Sequence, residues 1–483
     1  MGHCGYKLLS TLPLLFLKTL ALAQSNRQIP LDSILRLGLP VVVIKTENGV
    51  EPTADELPKP DPRCVGNTIT NAVKIPGSLV ILAPDSALIY DCGEYLEGVS
   101  GMTIKVRGNN SALRWPKPYK IKLEKKADLL KRGNAKKYSD KHWLLIRENE
   151  NTLNTIIGLQ VCRLLDYCWT PSFRQVNVVL NGEYRGIYLL GEHVRRNSRC
   201  RINVDEQTGY IIEGDIYWWS KPIWFETRMY SDYWQRYTFK YPDEDEVTDA
   251  QMSYIQQAVE VMEDAVKDQY GEYERYLDVH AYAAWSLGHD ILGTWDAGGA
   301  NRYLSKYDDT PESLFKMETM WDFDSNFRCS GQWSQLHNEY VTYLPRLLQS
   351  RNRIFAKEYV RAWKRLSPMI EQSIADFLDS LTLVDSAAMN ASRHVEQKLG
   401  YRSFISIQQN VSDAMTWFRQ RKAWMDENIA EIDTIDTRVG ISSPSISDSR
   451  HASYCFSLSG NCFSGRPMQK GIYIRKRRKV LVK

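Results

Sequence analysis

The stretch Val176–Glu192, VNVVLNGEYRGIYLLGE, reads as two strands around a two-residue turn. Asn181-Gly182 supplies the pair of positive φ angles that a type I′ hairpin needs, and the β-branched and aromatic residues on either side suit a pleated, half-buried surface. Runs upstream agree with a sheet. SLVILA (78–83), MTIKVRG (102–108) and YKIKLEKK (119–126) are short and partly alternating. Between them and the hairpin the spacing changes: Leu153, Ile156, Ile157, Val161, Leu164 and Leu165 form one apolar stripe at helical period. From 250 to 435 helical patterns dominate. This order predicts an α+β fold, with a β-rich N-terminal half, a mainly helical C-terminal half and a cleft between two lobes. The expected divisions are 24–60 (an extension with one strand in LPVVVIKT), 61–248 (β-rich lobe), 249–437 (helical lobe) and 438–483 (a Ser-rich and basic tail, nine serines between Ser442 and Ser464, expected to be loosely structured).

A chain of 483 residues is too long for one simple core, and 43% hydrophobic with 25% charged residues is ordinary for a globular protein. The net charge is +4, and the last nine residues, RKRRKVLVK, hold six basic groups, so the remainder carries −2. No nucleic-acid-binding face is implied. Residues 1–23 have the layout of a secretory signal peptide: Lys7, an apolar Leu8–Leu17, and Ala21-Leu22-Ala23 before the cleavage point. The mature chain is expected to be secreted and not membrane-spanning, since no other run approaches the length of a span. Eight cysteines remain after cleavage, and at least two disulfides are expected among them. Sequons at Asn109, Asn390 and Asn410 fit the same route.

The chemistry gathers in METMWDFDSNF (317–327), where Asp322 and Asp324 flank a phenylalanine. At the end of a strand, two carboxylates one residue apart point the same way and make an oxygen site for a hard cation such as Mg²⁺ or Mn²⁺. Upstream, Asp296 is followed five residues later by Asn301. Protein kinases use a catalytic Asp and a metal-holding Asn at that spacing, with a further metal Asp on a later strand end. A kinase also needs a strand lysine for the phosphates, and Lys120 and Lys122 share one face of a strand. The chain has no P-loop, no G-x-S-x-G elbow, no H-E-x-x-H helix and no C-x-x-C.

VRGNNS (106–111), KPYKIKLEKK (117–126), HWLLIRENENTL (142–153), VVLNGEYRGIYLLGEHV (178–194) and WDFDSNF (321–327), in this order, resemble the CotH kinase-like family of spore-coat kinases. The resemblance covers roughly residues 35 to 435. It implies an atypical secreted protein-kinase-like fold of two lobes that uses ATP and Mg²⁺ (or Mn²⁺) to phosphorylate Ser/Thr hydroxyls of a protein substrate, such as a Ser-rich coat or cell-surface protein. By position it implies Asp296 as the catalytic residue. Asp322 would be the metal aspartate, with Asn301 and Asp324 assisting. Lys122 or Lys120 and Arg107 would meet the phosphates, and Glu192 would serve as a lobe-junction or nucleotide contact. A glycan on Asn109 would block the nucleotide, so that sequon is expected to be unoccupied. Departures are the TLNTIIG helix start, which lacks an Arg, and Thr294-Trp295 before Asp296. Two other readings stay open: a non-catalytic surface, adhesion or coat protein of the same family, and a glycosyltransferase using D-x-D.

Overall fold

The computed structural model describes residues 27–147, 153–229, 236–294, 301–325, 327 and 343–434, together with the backbone of four strands between 454 and 482. It is mixed α+β, β-rich in its first half and helical in its second. Two compact units are separated, residues 1–435 and 436–483. Among the described residues no helix is long and apolar enough to cross a membrane. The signal-peptide region lies outside the described residues.

The strands of the first unit are β1 (Val41–Thr46), β2 (Asp55–Leu57), β3 (Thr68–Thr70), β4 (Ile75–Leu82), β5 (Leu88–Asp91), β6 (Met102–Val106), β7 (Tyr119–Ala127), β8 (Asp140–Ile146), β9 (Phe173–Leu180), β10 (Glu183–Glu192), β11 (Tyr210–Asp215), β12 (Trp224–Phe225), β13 (Arg236–Tyr241), β14 (Arg302–Lys306) and β15 (Phe315–Met317). The hairpin is β9–β10, and Asn181 (φ 52) and Gly182 (φ 82) adopt the left-handed pair that its turn requires. The first sheet runs β1-β9-β10-β8-β7-β6-β4-β5. It closes on itself, because β1 pairs in parallel with β9 and antiparallel with β4. Alternation then decides what goes inside. Val42, Ile44, Ile104, Ile121, Trp143, Val178 and Tyr188 are buried together, and the intervening residues of β6, β7 and β8 point outward. The strand expected in the 24–60 extension is therefore β1, a stave of this barrel.

A second sheet, β12-β13-β11-β14-β15, draws strands from both sides of residue 248. Against it packs the main core, built on α1 (Asn154–Leu165), α2 (Asp249–Lys267), α3 (Val279–Leu292), α4 (Ile354–Lys398) and α5 (Ile407–Asn428). Thirteen of the fourteen residues of α3 are buried, which makes it the central helix. It starts at Asp278, whose carboxylate caps the Ala281 amide, and ends at Gly293 in the left-handed conformation. The apolar stripe read for α1 is buried at Leu153, Ile157, Val161 and Leu165, but Gly158, Leu159 and Cys162 are buried as well, so the helix is enclosed on several sides.

Three expectations are corrected. WDFD is not a strand end: β15 stops at Met317, residues 318–323 have no regular structure, and Asp322 has φ 62, which breaks period-two alternation. The tail, expected to be loosely structured, contains four short strands (Tyr454–Ser457, Cys462–Ser464, Gly471–Arg475, Arg478–Val482) in one antiparallel sheet. The apolar residues within GIYIR and RKVLV suffice for strand pairing despite the basic composition around them. Cys64, Cys92, Cys162, Cys168 and Cys200 are free thiols, so the expected disulfide framework does not appear among the described cysteines.

Candidate functional site

The outward faces of β6 and β7 meet the second sheet and the 318–325 loop around a cavity of about 830 Å³. Arg107, Lys120, Lys122, Asn301, Asp322 and Asp324 all line it. Asp296 lies in 295–300, outside the described residues. Glu192 is placed elsewhere: it is fully buried, 3.0 Å from Arg132 and 3.9 Å from Arg201, and accepts the Ser172 amide at 2.9 Å. That set is a closed structural network, and Glu192 is not on the cavity wall.

Asn301 and Asp322 form the centre of the acidic end. The Asn301 Nδ2 donates to Asp322 Oδ2 at 3.1 Å, and both residues have left-handed backbones, φ 60 and 62. Asn and Asp tolerate that conformation better than other side chains do, yet two such residues in direct contact represent strain of the kind kept at working sites. Phe323 between the two aspartates is buried and packs on α1, where a side chain at Gly158 would collide with its ring. The carboxylates therefore reach the cavity because a left-handed turn and a buried phenylalanine anchor the loop. Arg107, half-buried, feels both: burial lowers its pKa, while Tyr303, Asp322, Glu213 and Asp324 oppose that by attraction.

The other end is cationic. β6 and β7 pair Lys105 directly opposite Lys120, and Lys122 follows on the same face. Like charges directly opposed in a sheet are destabilising. Burial pushes Lys120 down to about 7, with Arg195, Lys105, Lys240 and Lys221 adding repulsion. Lys105 is lowered by burial, then by Lys221 and Lys74. Counter-charges exist nearby: Lys240 pairs with Glu213 at 2.5 Å, and Lys221 with Glu244 at 3.5 Å. Asp215, buried beside Glu213, is raised to about 6. Lys105, Lys240, Lys221, Glu213, Glu244 and Asp215 were missed in the sequence, although IKVRG put Lys105 on the same face as Arg107 by simple alternation. Asn109 also lines the cavity. The other sequon asparagines are engaged: Asn390 Oδ1 accepts the Ile407 amide at 3.0 Å, and Asn410 Oδ1 accepts from Arg393 at 2.7 Å.

Among the described residues no group of three His, Cys, Asp or Glu side chains could hold a metal ion by itself. Two carboxylates with an amide neighbour are nevertheless the donor set Mg²⁺ uses when substrate phosphates complete its shell. The residues present fit that ion and an anionic ligand together.

A family model described as CotH kinase protein matches residues 104–425. The chain belongs to that family, and family membership places it among kinase-like proteins that use ATP and a divalent metal in general. The comparison with curated proteins found no match. Among solved structures, one similar chain is from the Shewanella oneidensis MR-1 toxin–antitoxin complex of HipA, HipB and operator DNA. It is 13% identical over 61% of this chain and 60% of that one, with a TM-score of 0.29.

Proposed function

We propose that the chain is a secreted protein kinase with a two-lobed fold, transferring the γ-phosphoryl group of ATP to Ser or Thr hydroxyls of a Ser-rich coat or cell-surface protein. The observation that carries this reading is the Asn301–Asp322 hydrogen bond at the acidic end of a cavity whose other wall presents Arg107, Lys120 and Lys122. Phosphoryl transfer asks little covalent chemistry of a protein; it asks for position and charge complementarity. Lys120 and Arg107 bind and orient the phosphates, and Lys120, half-buried on the cavity wall, is the better placed of the two strand lysines. Asp322 and Asn301, with Asp324, would hold Mg²⁺ (or Mn²⁺), which when bound neutralises phosphate charge. Asp296 orients the acceptor hydroxyl and takes its proton. Phe323, locked on Gly158, holds the aspartates in place.

Incubating the purified protein with γ-labelled ATP and Mg²⁺ or Mn²⁺ tests the reading. Label is expected on added Ser-rich protein, and self-labelling within 442–464 is a direct readout. Absence of both, in a preparation that is folded, would overturn it.

A further inference from the structure

The second unit, residues 436–483, carries a motif that phosphoryl transfer does not use. RKRRK (475–479) is a run of consecutive cations, and the strand register places it. Strands Gly471–Arg475 and Arg478–Val482 pair antiparallel, with Arg475 directly opposite Arg478 and Ile474 opposite Lys479. Lys476 and Arg477 are the two residues between these strands in sequence. The whole run therefore belongs to the connected end of one strand pair, whose strands lie only about 4.8 Å apart. Like charges directly opposed in a sheet are destabilising, so this end calls for negative charge. The rest of the pair is apolar on both faces. The register puts Ile472, Ile474 and Leu481 on one face, and Tyr473, Val480 and Val482 on the other. Among the described residues of this unit there is no helix and no second sheet to cover either face.

We propose that this basic strand pair is a peripheral attachment site for an anionic phospholipid bilayer, with the cations of 475–479 at the headgroup phosphates and the apolar residues of the two strands in the interfacial layer. A sheet face that carries apolar residues has to be buried against something. A second copy of the chain would cover a face and leave the cations without counter-charge. A soluble polyanion would neutralise the cations and leave both faces wet. An anionic bilayer answers both needs, because it offers phosphate charge at its surface and hydrocarbon beneath. The charge distribution along the chain agrees. The last nine residues hold six basic groups while the remainder carries −2, so attraction to a negative surface resides in the tail. The strands are five residues each, about half the length of a strand that spans a bilayer, which makes the contact peripheral. Attachment of this kind is independent of phosphoryl transfer.

The test is co-sedimentation of the full chain with vesicles of phosphatidylglycerol mixed into phosphatidylcholine, against vesicles of phosphatidylcholine alone. Binding is expected to the first and not to the second. Lys476→Gln with Arg477→Gln removes two cations that pair with no strand residue, so the ladder is kept. This variant is expected to bind the anionic vesicles on the order of 20–30-fold more weakly, about fivefold for each charge removed. Ile472→Thr with Val480→Thr takes one apolar residue from each face and keeps good strand formers. Its binding is expected to weaken several-fold with all cations in place. Equal binding to both vesicle types, or undiminished binding by the glutamine variant, would overturn the site. Undiminished binding by the threonine variant would overturn the apolar half of the contact. Capture by heparin without binding to vesicles would assign the cations to a soluble polyanion instead. A chain that dimerises through these strands and ignores vesicles would make a second copy the occupant, and a chain that does none of these would leave the proposal refuted.

Discussion

Two residues at the acidic end of the cavity do work that others could not. Asp322 and Asn301 both sit at positive φ and bond to each other, so a substitution tests charge cleanly only if it tolerates that backbone. Asp322→Asn does, since Asn adopts the left-handed region readily. It is expected to leave the melting temperature unchanged and to lower phosphoryl transfer by on the order of 10²–10³-fold, the usual loss when one preorganised electrostatic group goes. Transfer at the wild-type rate would mean WDFD is only an acidic turn. At the cationic end the sign of a pH effect follows from Lys120, which is pushed down to about 7 by burial and by Arg195, Lys105, Lys240 and Lys221. The free protein then holds this amine largely neutral at pH 8, while a bound triphosphate favours the charged form and draws the pKa back up. Binding at pH 8 should therefore take up protons, and affinity should fall as pH rises from 7 to 9. Calorimetry in two buffers of different ionisation enthalpy reads the uptake directly. Lys120→Met should abolish most of it, and Lys122→Met should not.

Elements position those residues through two close approaches. Gly158 lies inside α1, where alanine would ordinarily favour a helix by roughly 1 kcal/mol. Here the ring of Phe323 occupies the space a side chain would need. Gly158→Ala is therefore expected to weaken Mg²⁺-dependent nucleotide binding by displacing the Asp322 loop, with the helix itself intact by circular dichroism. The second approach joins the end of α4 to the barrel. Glu396 is fully buried, pairs with Arg147, accepts the Ile187 amide at 2.7 Å and lies 3.1 Å from Arg402. Gly186, at φ 93, leaves room for that carboxylate at the irregularity in β10. Glu396→Ala would strand the buried Arg147 guanidinium, which also donates to the Ile187 carbonyl. A broken buried pair of this kind typically costs about 3–5 kcal/mol. Urea denaturation should show that loss, and a change below about 1 kcal/mol would show the pair to be dispensable.

At the scale of the molecule, period and turn chemistry made the β-then-α order legible: the Asn181-Gly182 hairpin, the β6 and β7 alternation and the α1 stripe all stand where the sequence put them. Closure of the barrel was not legible, because it rests on β1 pairing with strands more than thirty and more than one hundred residues away, which no local pattern records. The same holds for the second sheet, assembled from segments on both sides of α2 and α3. At the site, residue types announced themselves, but the geometry did not. The left-handed backbone at Asp322 and the Lys105–Lys120 opposition are products of tertiary packing that overrides propensity, although two like charges on neighbouring alternating strands were a readable signal. The tail was misread because serine content and basic charge hid the short apolar alternation in its last fifteen residues. Its independence yields the remaining prediction. Residues 436–483 cluster as a unit separate from 1–435, and every residue assigned here to the cavity belongs to the first unit. Domains with their own core can in principle fold alone. A chain ending at residue 435 is therefore expected to keep the melting temperature and the ATP affinity of the full-length protein, while losing any self-labelling within 442–464. Equilibrium binding of a fluorescent ATP analogue to the two forms decides it. A truncated protein that folds but no longer binds nucleotide would make the tail part of the site.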